Sequence, residues 1–318
     1  MSSVRSINEP RLLLEVELAP LLGSRFQPTG FPDLGAAEYT AGDRRMLLVE
    51  SAQSMANRLE ASCWDEAAGD LVAPLDGLPY VEVELPDGAK TNSILEAHRL
   101  NSVYIEKSDG WHEITEAVGF TEKQPFDRRR LAVALMRLDP NSLIHGIFLE
   151  SIAGVVRLPR MLSAFIEASD VSIAPSGGVK FDRVQPATGA ETTPYGRAAE
   201  GYGNVPFHRD EYAAAKIDAY FNLDLALLRG LGLSEAAEEL LFDLALFKIR
   251  RFLAGGLRLR TACDLEVVAI NVLRPVGWEL PPLDELEERL PQRIEAAAGD
   301  YFSEPRKRTY RYEASKKG

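Results

Sequence analysis

Cysteine and histidine, from which many metal sites and nucleophilic sites are built, are scarce in this sequence. Among 318 residues there are two cysteines, Cys63 and Cys263, and four histidines, His98, His112, His145 and His208. No two of these histidines have a spacing typical of a zinc site, and two cysteines cannot form a disulfide framework. We therefore expect no metal ion, no cofactor and a reducing, cytoplasmic environment.

Long apolar runs and nucleotide-binding motifs are also missing. No stretch approaches eighteen consecutive apolar residues, so no transmembrane helix is predicted. The first ten residues, MSSVRSINEP, contain no apolar run and predict no signal peptide. The sequence has no GxxxxGK[ST] loop, no GxGxxG after a strand and no GxSxG elbow. These absences argue against a membrane-spanning helix and against the commonest nucleotide-dependent enzymes and hydrolases.

A uniformly basic surface, usual for proteins that bind nucleic acids, is excluded by the charge balance. The chain has 36 basic and 48 acidic residues, a formal net charge of −12. Residues 1–120 hold nine of the basic and twenty of the acidic side chains, so most of the excess acid lies in the first third. We expect this acid to lie on an insertion and an outer face, away from a local basic track.

Hydrophobic patterning predicts an α+β chain. The predicted strands span residues 11–19, 162–171, 216–224 and 265–273, and the predicted helices span about 51–63, 127–138, 235–254 and 283–298. Strand, helix, strand, strand, helix, strand is the order of a ferredoxin-like (RRM-type) sheet, here with large insertions. Residues 144–151 are also strand-like, and residues 102–114 predict a hairpin closed near Asp109-Gly110.

Two short segments have residues suited to binding phosphate. Ser51-Ala52-Gln53-Ser54 begins a helix, where free N–H groups, hydroxyls and an amide favour an anion, and Arg44, Arg45 and Arg58 flank it. Gly255-Gly256 let a backbone approach a ligand closely, and Arg258, Arg260 and Thr261 follow them. The alternatives are an ordinary N-cap serine for the first segment, and a helix C-cap with a solvated strand edge for the second.

A third segment, residues 173–209, is rich in glycine, proline and threonine and combines basic with aromatic side chains. Lys180 and Arg183 lie in it with Tyr195, Tyr202 and Phe207, a mixture suited to backbone contact and base stacking. The remaining clustered cations with a predicted role in binding are Arg157, Arg160, Arg250 and Arg251. Asp33 lies in the loop after the first strand, where it is either a metal ligand or a solvated turn residue.

With these residues considered together, the sequence resembles the RAMP-superfamily backbone subunit of CRISPR Cascade effectors, most closely the type I-G version (formerly I-U). The matching stretches are RRMLLVESAQSMANRLE (44–60), PSGGVKFDRV (175–184), YGNVPFHRDEY (202–212), YFNLDLALLRGLGL (220–233) and FLAGGLRLRTACDLE (252–266). The resemblance implies a hand-like shape with an RRM-type palm, a fingers region and a thumb β-hairpin. The implied division is palm 1–63, acidic fingers insertion 64–120, palm 121–172, thumb hairpin 173–206, palm 207–280, and a C-terminal helix with a basic tail 281–318.

The resemblance also implies a function. Copies of such a subunit polymerise head-to-tail along the crRNA, support pairing of the guide with target DNA, contact other Cascade subunits and cut nothing themselves. By residue, it implies that guide phosphates are held at the palm by Ser51, Gln53, Ser54, Arg44, Arg45 and Arg58, and on the other side by Arg258, Arg260 and Thr261. The implied wedge is Phe207 or another apolar residue of the thumb. Two alternatives stay open: a metal-dependent ribonuclease that cuts target RNA through Asp33, and a structural adaptor that binds no RNA.

Overall fold

The structure is a computed structural model that describes residues 3–31, 33–121, 126–152, 154, 156–181 and 204–313. Its α-helices are α1 (Ala52–Ala61), α2 (Val103–Glu106), α3 (Trp111–Val118), α4 (Arg128–Leu138), α5 (Asn141–His145), α6 (Leu225–Gly230), α7 (Glu235–Ala254) and α8 (Leu283–Tyr301). In this part of the chain no helix is long and apolar enough to cross a membrane.

The strands, in chain order, are β1 (Arg11–Pro20), β2 (Gly30–Phe31), β3 (Gly35–Ala36), β4 (Glu38–Ala41), β5 (Arg44–Glu50), β6 (Trp64–Asp65), β7 (Asp70–Leu71), β8 (Tyr80–Glu84), β9 (Lys90–Asn92), β10 (Ile147–Leu149), β11 (Val156–Leu158), β12 (Leu162–Ser169), β13 (Ser172–Phe181), β14 (Asn204–Ala213), β15 (Lys216–Asp224), β16 (Arg258–Arg260), β17 (Cys263–Arg274) and β18 (Lys307–Arg311). The fold is therefore mixed α+β.

A seven-stranded antiparallel sheet forms the centre of the fold, in the order β16-β17-β1-β15-β12-β5-β4. In β1 the residues Leu12, Leu14, Val16 and Leu18 are all buried, and the residues between them are more exposed. Because side chains alternate across a strand, this pattern puts one face of the sheet into the core and leaves the other face open.

Helix α7 lies inside the core and packs against α1, α5, α6 and α8. Its apolar residues occur on every side of the helix, as expected for a helix that is buried all round. Its buried carboxylate Asp243 accepts hydrogen bonds from two arginines of α8, Arg289 at 2.7 Å and Arg293 at 3.0 Å. Charge pairing at Asp243 therefore fixes α8 against α7.

The four predicted strands and four predicted helices of the central fold are confirmed within a few residues, whereas one other assignment is wrong and another is confirmed only in part. Residues 102–114 contain α2 and the start of α3 instead of a hairpin, because the Ser102 hydroxyl caps α2 and Ile114 and Val118 bury one face of α3. Residues 144–151 begin in helix α5, and only Ile147–Leu149 is a strand.

Strands β13 and β14 form a long antiparallel hairpin, paired from Ser172 with Ala213 to Phe181 with Asn204. Gly177 has no space for a side chain, since a Cβ there would overlap the backbone oxygen of Phe207. The Phe207 ring lies over Gly178, where a Cβ would stand 3.4 Å from it. The predicted thumb residues 182–203 lie outside the described residues.

The basic C-terminal segment packs on the acidic insertion. Strand β18 pairs in parallel with β8 of the insertion. The Lys307 Nζ atom lies 3.1 Å from the Asp70 carboxylate, and the Arg308 Nε atom lies 3.5 Å from that of Glu113. Part of the acid in the first third is therefore neutralised within the chain by its last strand.

Candidate nucleic-acid interface

Helix α1 begins at the place predicted from its serine-rich first turn. The Ser51 hydroxyl accepts a hydrogen bond from the backbone N–H of Ser54 at 3.3 Å, which makes Ser51 the N-cap. Strand β5 ends at Glu50, so the helix starts directly at the end of a sheet strand. Gln53 is exposed in the first turn, beside the positive end of the helix dipole, and its amide donates to the Asn57 side-chain oxygen at 3.2 Å.

Three predicted phosphate contacts converge on one buried carboxylate, Glu50, which is 1% exposed. Glu50 accepts hydrogen bonds from the Ser54 hydroxyl, from Arg58 Nε at 3.1 Å and from the Arg260 guanidinium. Arg260 also donates to the backbone oxygen of Gln27 at 3.2 Å. Two arginines and one carboxylate leave a net positive charge, and the ion pairs hold both guanidinium groups in fixed positions.

Sequence reasoning did not identify Glu50, although an acid directly before an N-cap and among clustered arginines is a visible signal. Its role depends on β16, which brings Arg260 next to a residue 210 positions earlier in the chain. Arg58 strengthens the same junction because its guanidinium donates to the backbone oxygen of Leu259. Ser54 and Arg58 of the first predicted group and Arg260 of the second are thus hydrogen-bonded to one carboxylate.

Arg160 extends this network to the segment before β12. Its guanidinium donates to the backbone oxygen of Ala52 at 2.9 Å and to the side-chain oxygen of Gln53. Both acceptors are neutral. Burial lowers the pKa of Arg160, the nearby charge of Arg99 lowers it further, and that of Glu60 opposes the change. A half-buried cation whose hydrogen-bond acceptors among the described residues are all neutral suits an anionic ligand.

A cleft of about 1000 Å³ opens beside the first turns of α1. One wall comes from Gln53 and Asn57 of α1, a second from residues 96–106 of the insertion, and a third from β10 and β11 with the exposed Arg157. Arg160 lies at the junction of the first and third walls. The cleft therefore joins the predicted phosphate-binding turn to the predicted Arg157 and Arg160 cluster.

The insertion contributes acid to this cleft, contrary to the expectation that its acid lies away from the basic track. Glu96 and Glu106 both line the cleft wall. The Glu96 carboxylate accepts hydrogen bonds from the hydroxyls of Thr91 and, at 2.9 Å, Ser102, so it is held against its own segment. The expected separation of acid from the basic track therefore does not hold at this wall.

Beneath the cleft, a buried ion pair joins α1 to the insertion. The guanidinium of Arg99 makes two hydrogen bonds of 2.6 Å with the carboxylate of Glu60, and both side chains are almost fully buried. Burial raises the pKa of Glu60 to about 7, and the charge of Arg99 opposes that rise. Arg99 also donates to the backbone oxygen of Gly146 at 3.3 Å. These bonds fix the cleft wall to the core.

A second buried pair lies next to the first. The Lys248 Nζ atom of α7 lies 3.0 Å from Nε2 of His145, and both residues are buried. Burial holds the pKa of His145 well below its ordinary value, and the charges of Lys248, Arg99 and Arg160 act in the same direction. The imidazole of His145 is therefore neutral at physiological pH.

The structure places four of the predicted RNA contacts in other interactions. Arg44 donates to the hydroxyl of Ser169 at 2.5 Å, and Arg45 donates to the Glu38 carboxylate at 2.9 Å. In α7, the guanidinium groups of two arginines bond to backbone oxygens, Arg250 to that of Pro281 at 2.7 Å and Arg251 to that of Ser62 at 2.8 Å. Contacts of these four arginines with RNA stay predictions.

Arg258, Thr261 and Phe207, three more of the predicted contacts, lie at the surface. The Arg258 side chain is 75% exposed, with its Nε atom 3.7 Å from the Asp264 carboxylate, and Thr261 is exposed beside it. Lys180 lies in β13 opposite Val205. Phe207 is 52% exposed in β14, while Arg183 lies outside the described residues. Roles for these residues in RNA binding are likewise predictions.

The open face of the central sheet is acidic. Phe165 and Tyr220 stack on it with ring centroids 5.1 Å apart. Glu15 lies opposite Tyr220, and Asp218 lies opposite both Glu17 and Glu167. Aromatic rings on a sheet are the usual platform for bases in RRM domains, but carboxylates surround this pair. Repulsion from phosphates makes this face unsuited to RNA.

The open face has one lysine, which its own acids neutralise. The Lys216 Nζ atom lies 2.9 Å from the carboxylates of Glu15 and Asp218. Hydrogen bonds to these two carboxylates raise the pKa of Lys216. The face therefore keeps its negative charge.

Asp33 lies in an exposed turn with a φ angle of 66°. Where the structure describes the chain, no three His, Cys, Asp or Glu side chains are grouped in a way that could hold a metal ion. The role of Asp33 as a metal ligand is thus without support from neighbouring ligands, and it stays an untested alternative.

Comparison with known proteins identifies a family. A family model described as CRISPR-associated protein GSU0053 (Cas_GSU0053) matches residues 12–173. No curated protein matches the chain. Similar solved structures include chains from "CRISPR RNA-guided surveillance complex, pre-nicking" (12% identity, TM-score 0.41, 91% of this chain and 88% of that chain covered) and "CRISPR RNA-guided surveillance complex" (11%, 0.39, 91% and 82%). Csc2 of Thermofilum pendens is also similar, with 12% identity, a TM-score of 0.31, and 92% and 79% of the two chains covered.

The family match extends from β1 into β13 and includes α1, Glu50, Glu60, Arg99, His145 and Arg160. It covers slightly more than half of the 318 residues. The chain belongs to the CRISPR-associated protein GSU0053 family.

Proposed function

We propose that this chain is a crRNA-binding backbone subunit of a type I CRISPR Cascade effector, of the type I-G form and the RAMP superfamily. The observation that carries the proposal is the single network around the start of α1. Ser54, Arg58 and Arg260 meet there at Glu50, and Arg160 bonds to Gln53 in the same helical turn, beside a cleft of about 1000 Å³. Membership of a CRISPR-associated family supports the same function.

The strand order supports a ferredoxin-like palm. Numbered along the chain, β1, β12, β15 and β17 are the four strands of such a fold, and they lie in the order fourth, first, third, second. Helix α1 lies between the first two strands in sequence and α7 between the last two. The hairpin of β13 and β14 is inserted between the second and third strands, where we place the thumb, and we place the fingers within residues 64–120.

In this proposal the protein is a non-catalytic scaffold in the cytoplasm. Copies bind head-to-tail along the guide, and because one surface of a copy contacts a different surface of the next, the assembly grows as an open filament. Base pairing of the guide reads the target DNA, while the protein holds the backbone and shape of the strand. Other Cascade subunits complete the complex at its ends.

Fluorescence anisotropy with a labelled repeat-spacer RNA tests this proposal. Between about 50 and 300 mM salt we expect the logarithm of the association constant to fall linearly with the logarithm of salt concentration, because phosphate contacts release counterions. Arg160→Gln and Arg260→Gln should each weaken binding and reduce the slope by about 0.7, the value for one phosphate of a single strand. Arg137→Gln removes an exposed arginine outside the cleft and should change neither quantity.

Three results would contradict the proposal. Absence of binding, or a slope near zero, would exclude a phosphate-binding subunit. If both Arg160→Gln and Arg260→Gln bind RNA with wild-type affinity, the RNA binds away from this network. Cleavage of the RNA that is lost in Asp33→Ala would favour the ribonuclease alternative.

A further inference from the structure

The floor of the cleft has a polar group with no partner. His145 lines the cleft and is 1% exposed, and its Nδ1 atom has no hydrogen-bond partner among the described residues. A buried polar atom without a partner destabilises the folded state. Such a group in a cleft wall is typical of a site that is completed by a ligand.

The contact with Lys248 decides which nitrogen of His145 carries the proton. An ammonium group has three donors and no lone pair, so Lys248 donates to Nε2 of the imidazole at 3.0 Å. Burial raises the pKa values of the neighbouring Glu60 and Asp139 carboxyls, and the charge of Lys248 opposes that rise. The neutral ring therefore has its proton on Nδ1. The group without a partner is a donor, and it needs an acceptor.

The charges around this donor favour an anionic acceptor. His145 and Arg160 lie on adjacent segments. The backbone N–H of Met161 donates to the backbone oxygen of Ile144 at 2.9 Å. A Cβ built on Gly146 would lie 2.9 Å from the backbone nitrogen of Arg160. Gly146 has a φ of 75°, and the absence of a side chain lets these segments approach so closely. Arg160 itself donates only to neutral oxygens among the described residues.

Two further arginines of the cleft add positive charge near its floor. Arg157 and Arg128 line the cleft and are exposed. The acids that line it are Glu96, Glu106 and Glu150, of which Glu96 is bonded within its own segment. Arginine binds phosphate oxygens with two parallel donors, and a tetrahedral phosphate has oxygens left for an imidazole N–H.

We propose that the floor of this cleft is a phosphate site, in which Nδ1–H of His145 and the guanidinium of Arg160 donate to oxygens of one phosphate group. The phosphate chemistry follows from the cleft itself. Its assignment to a phosphodiester of the RNA strand rests on the proposed function. A strand held here would pass between α1 and the insertion, with its phosphate over the Glu60–Arg99 pair. Gln53, which bonds Arg160, would then act as a positioning residue.

Titration of the wild-type protein with sodium phosphate, followed by NMR of ¹⁵N-labelled histidine side chains, tests the site without a variant that fails to fold. We expect His145 to show the neutral Nδ1–H tautomer and a shift that saturates with phosphate, while His112, exposed and outside the cleft, stays unchanged. Arg160→Gln should weaken this phosphate binding about tenfold, because it removes a charged hydrogen bond. Arg137→Gln should leave it unchanged.

An Nε2–H tautomer, an unsaturable His145 shift, or equal phosphate binding in wild type and Arg160→Gln would overturn the proposal. A second titration with a twelve-nucleotide RNA identifies the source of the phosphate. If RNA gives the same His145 shift and sodium phosphate competes with it, the site holds a strand phosphate. If only sodium phosphate gives the shift, the site is confirmed as one for free phosphate or a nucleotide, and the RNA path lies elsewhere. If RNA binds with a steep salt dependence but neither probe shifts His145, the phosphate site is wrong and the proposed function stands.

Discussion

Replacing Arg99 with methionine is expected to lower the free energy of unfolding by about 3–5 kcal/mol at neutral pH. The substitution removes both 2.6 Å hydrogen bonds to Glu60 and leaves that carboxylate buried without its cation. It also removes the bond from Arg99 to the Gly146 oxygen, which fixes the cleft wall. Urea unfolding followed by circular dichroism measures the change.

The stability lost in Arg99→Met should depend on pH, and the pKa of Glu60 determines whether the loss is larger at high or at low pH. The folded-state pKa of about 7 is above the ordinary 4.5, so between these values the folded chain binds more protons than the unfolded chain. The stability from this group is present at low pH and is lost as the pH rises through about 7. Without Arg99 the pKa of Glu60 rises further, so the deficit of Arg99→Met should be larger at about pH 8 than at about pH 6.

A double substitution provides the matched control. Adding Glu60→Gln to Arg99→Met removes the buried carboxylate that the single substitution leaves without a cation. Part of the lost stability should therefore return, and the remaining stability deficit should no longer depend on pH. A loss below about 1 kcal/mol, or the same loss at both pH values, would show that this ion pair does not support the cleft in the way described.

Replacing Glu50 with glutamine should separate stability from RNA binding. The side chain is 1% exposed and neutralises part of the charge of Arg58 and Arg260, whose side chains are 28% and 22% exposed. Loss of these charged hydrogen bonds should lower the free energy of unfolding by about 2–4 kcal/mol. RNA affinity at low salt should nevertheless stay equal or increase, because the network gains one net positive charge.

The comparison with Arg260→Gln makes the Glu50→Gln result decisive, since both variants break the same ion pair but change the net charge in opposite directions. Anisotropy and urea unfolding should show two destabilised proteins, of which only Arg260→Gln binds RNA more weakly. Glu295→Gln, which removes a carboxylate 77% exposed beside Arg306, is the control and should change stability by less than about 0.5 kcal/mol. Equal weakening of RNA binding by Glu50→Gln and Arg260→Gln would mean that the network acts only as structure.

Local patterns in the sequence predict the central strands and the main helices well. The alternation of Leu12, Leu14, Val16 and Leu18 has the period of a strand with one buried face, and no tertiary contact is needed to recognise it. Helix α1 is likewise visible from its N-cap Ser51 and the spacing of its apolar residues. Residues 102–114 were harder because their helices are short, so the serine cap of α2 decides the structure more than periodicity does.

The partners in the candidate site could not be predicted, because they depend on strand order and on contacts between distant residues. Ser54 and Arg58 are recognisable from the start of α1, but their meeting with Arg260 at Glu50 requires β16 to lie at that end of the sheet. The cleft floor combines Arg99, His145 and Lys248 from three separate elements. No spacing in the sequence relates them.

The position of the acidic residues in the fold could not be predicted either. Counting residues shows that the acid is concentrated in the first third, but it does not show where that acid lies in the fold. The structure divides it among the contacts with β18, the open face of the sheet and one wall of the cleft. Only the open face, around Glu15 and Asp218, is acidic enough to repel a strand outright.

Photo-cross-linking of the protein to repeat-spacer RNA that contains 4-thiouridine, with mass spectrometry of the linked peptides, tests the central claim most directly. The account predicts cross-links in the first two turns of α1, in the segment from Arg157 to Arg160, and in β14 around Phe207. It predicts none on the open face that holds Phe165 and Tyr220. Cross-links confined to that open face, or no cross-links to any of the three predicted segments, would contradict the account.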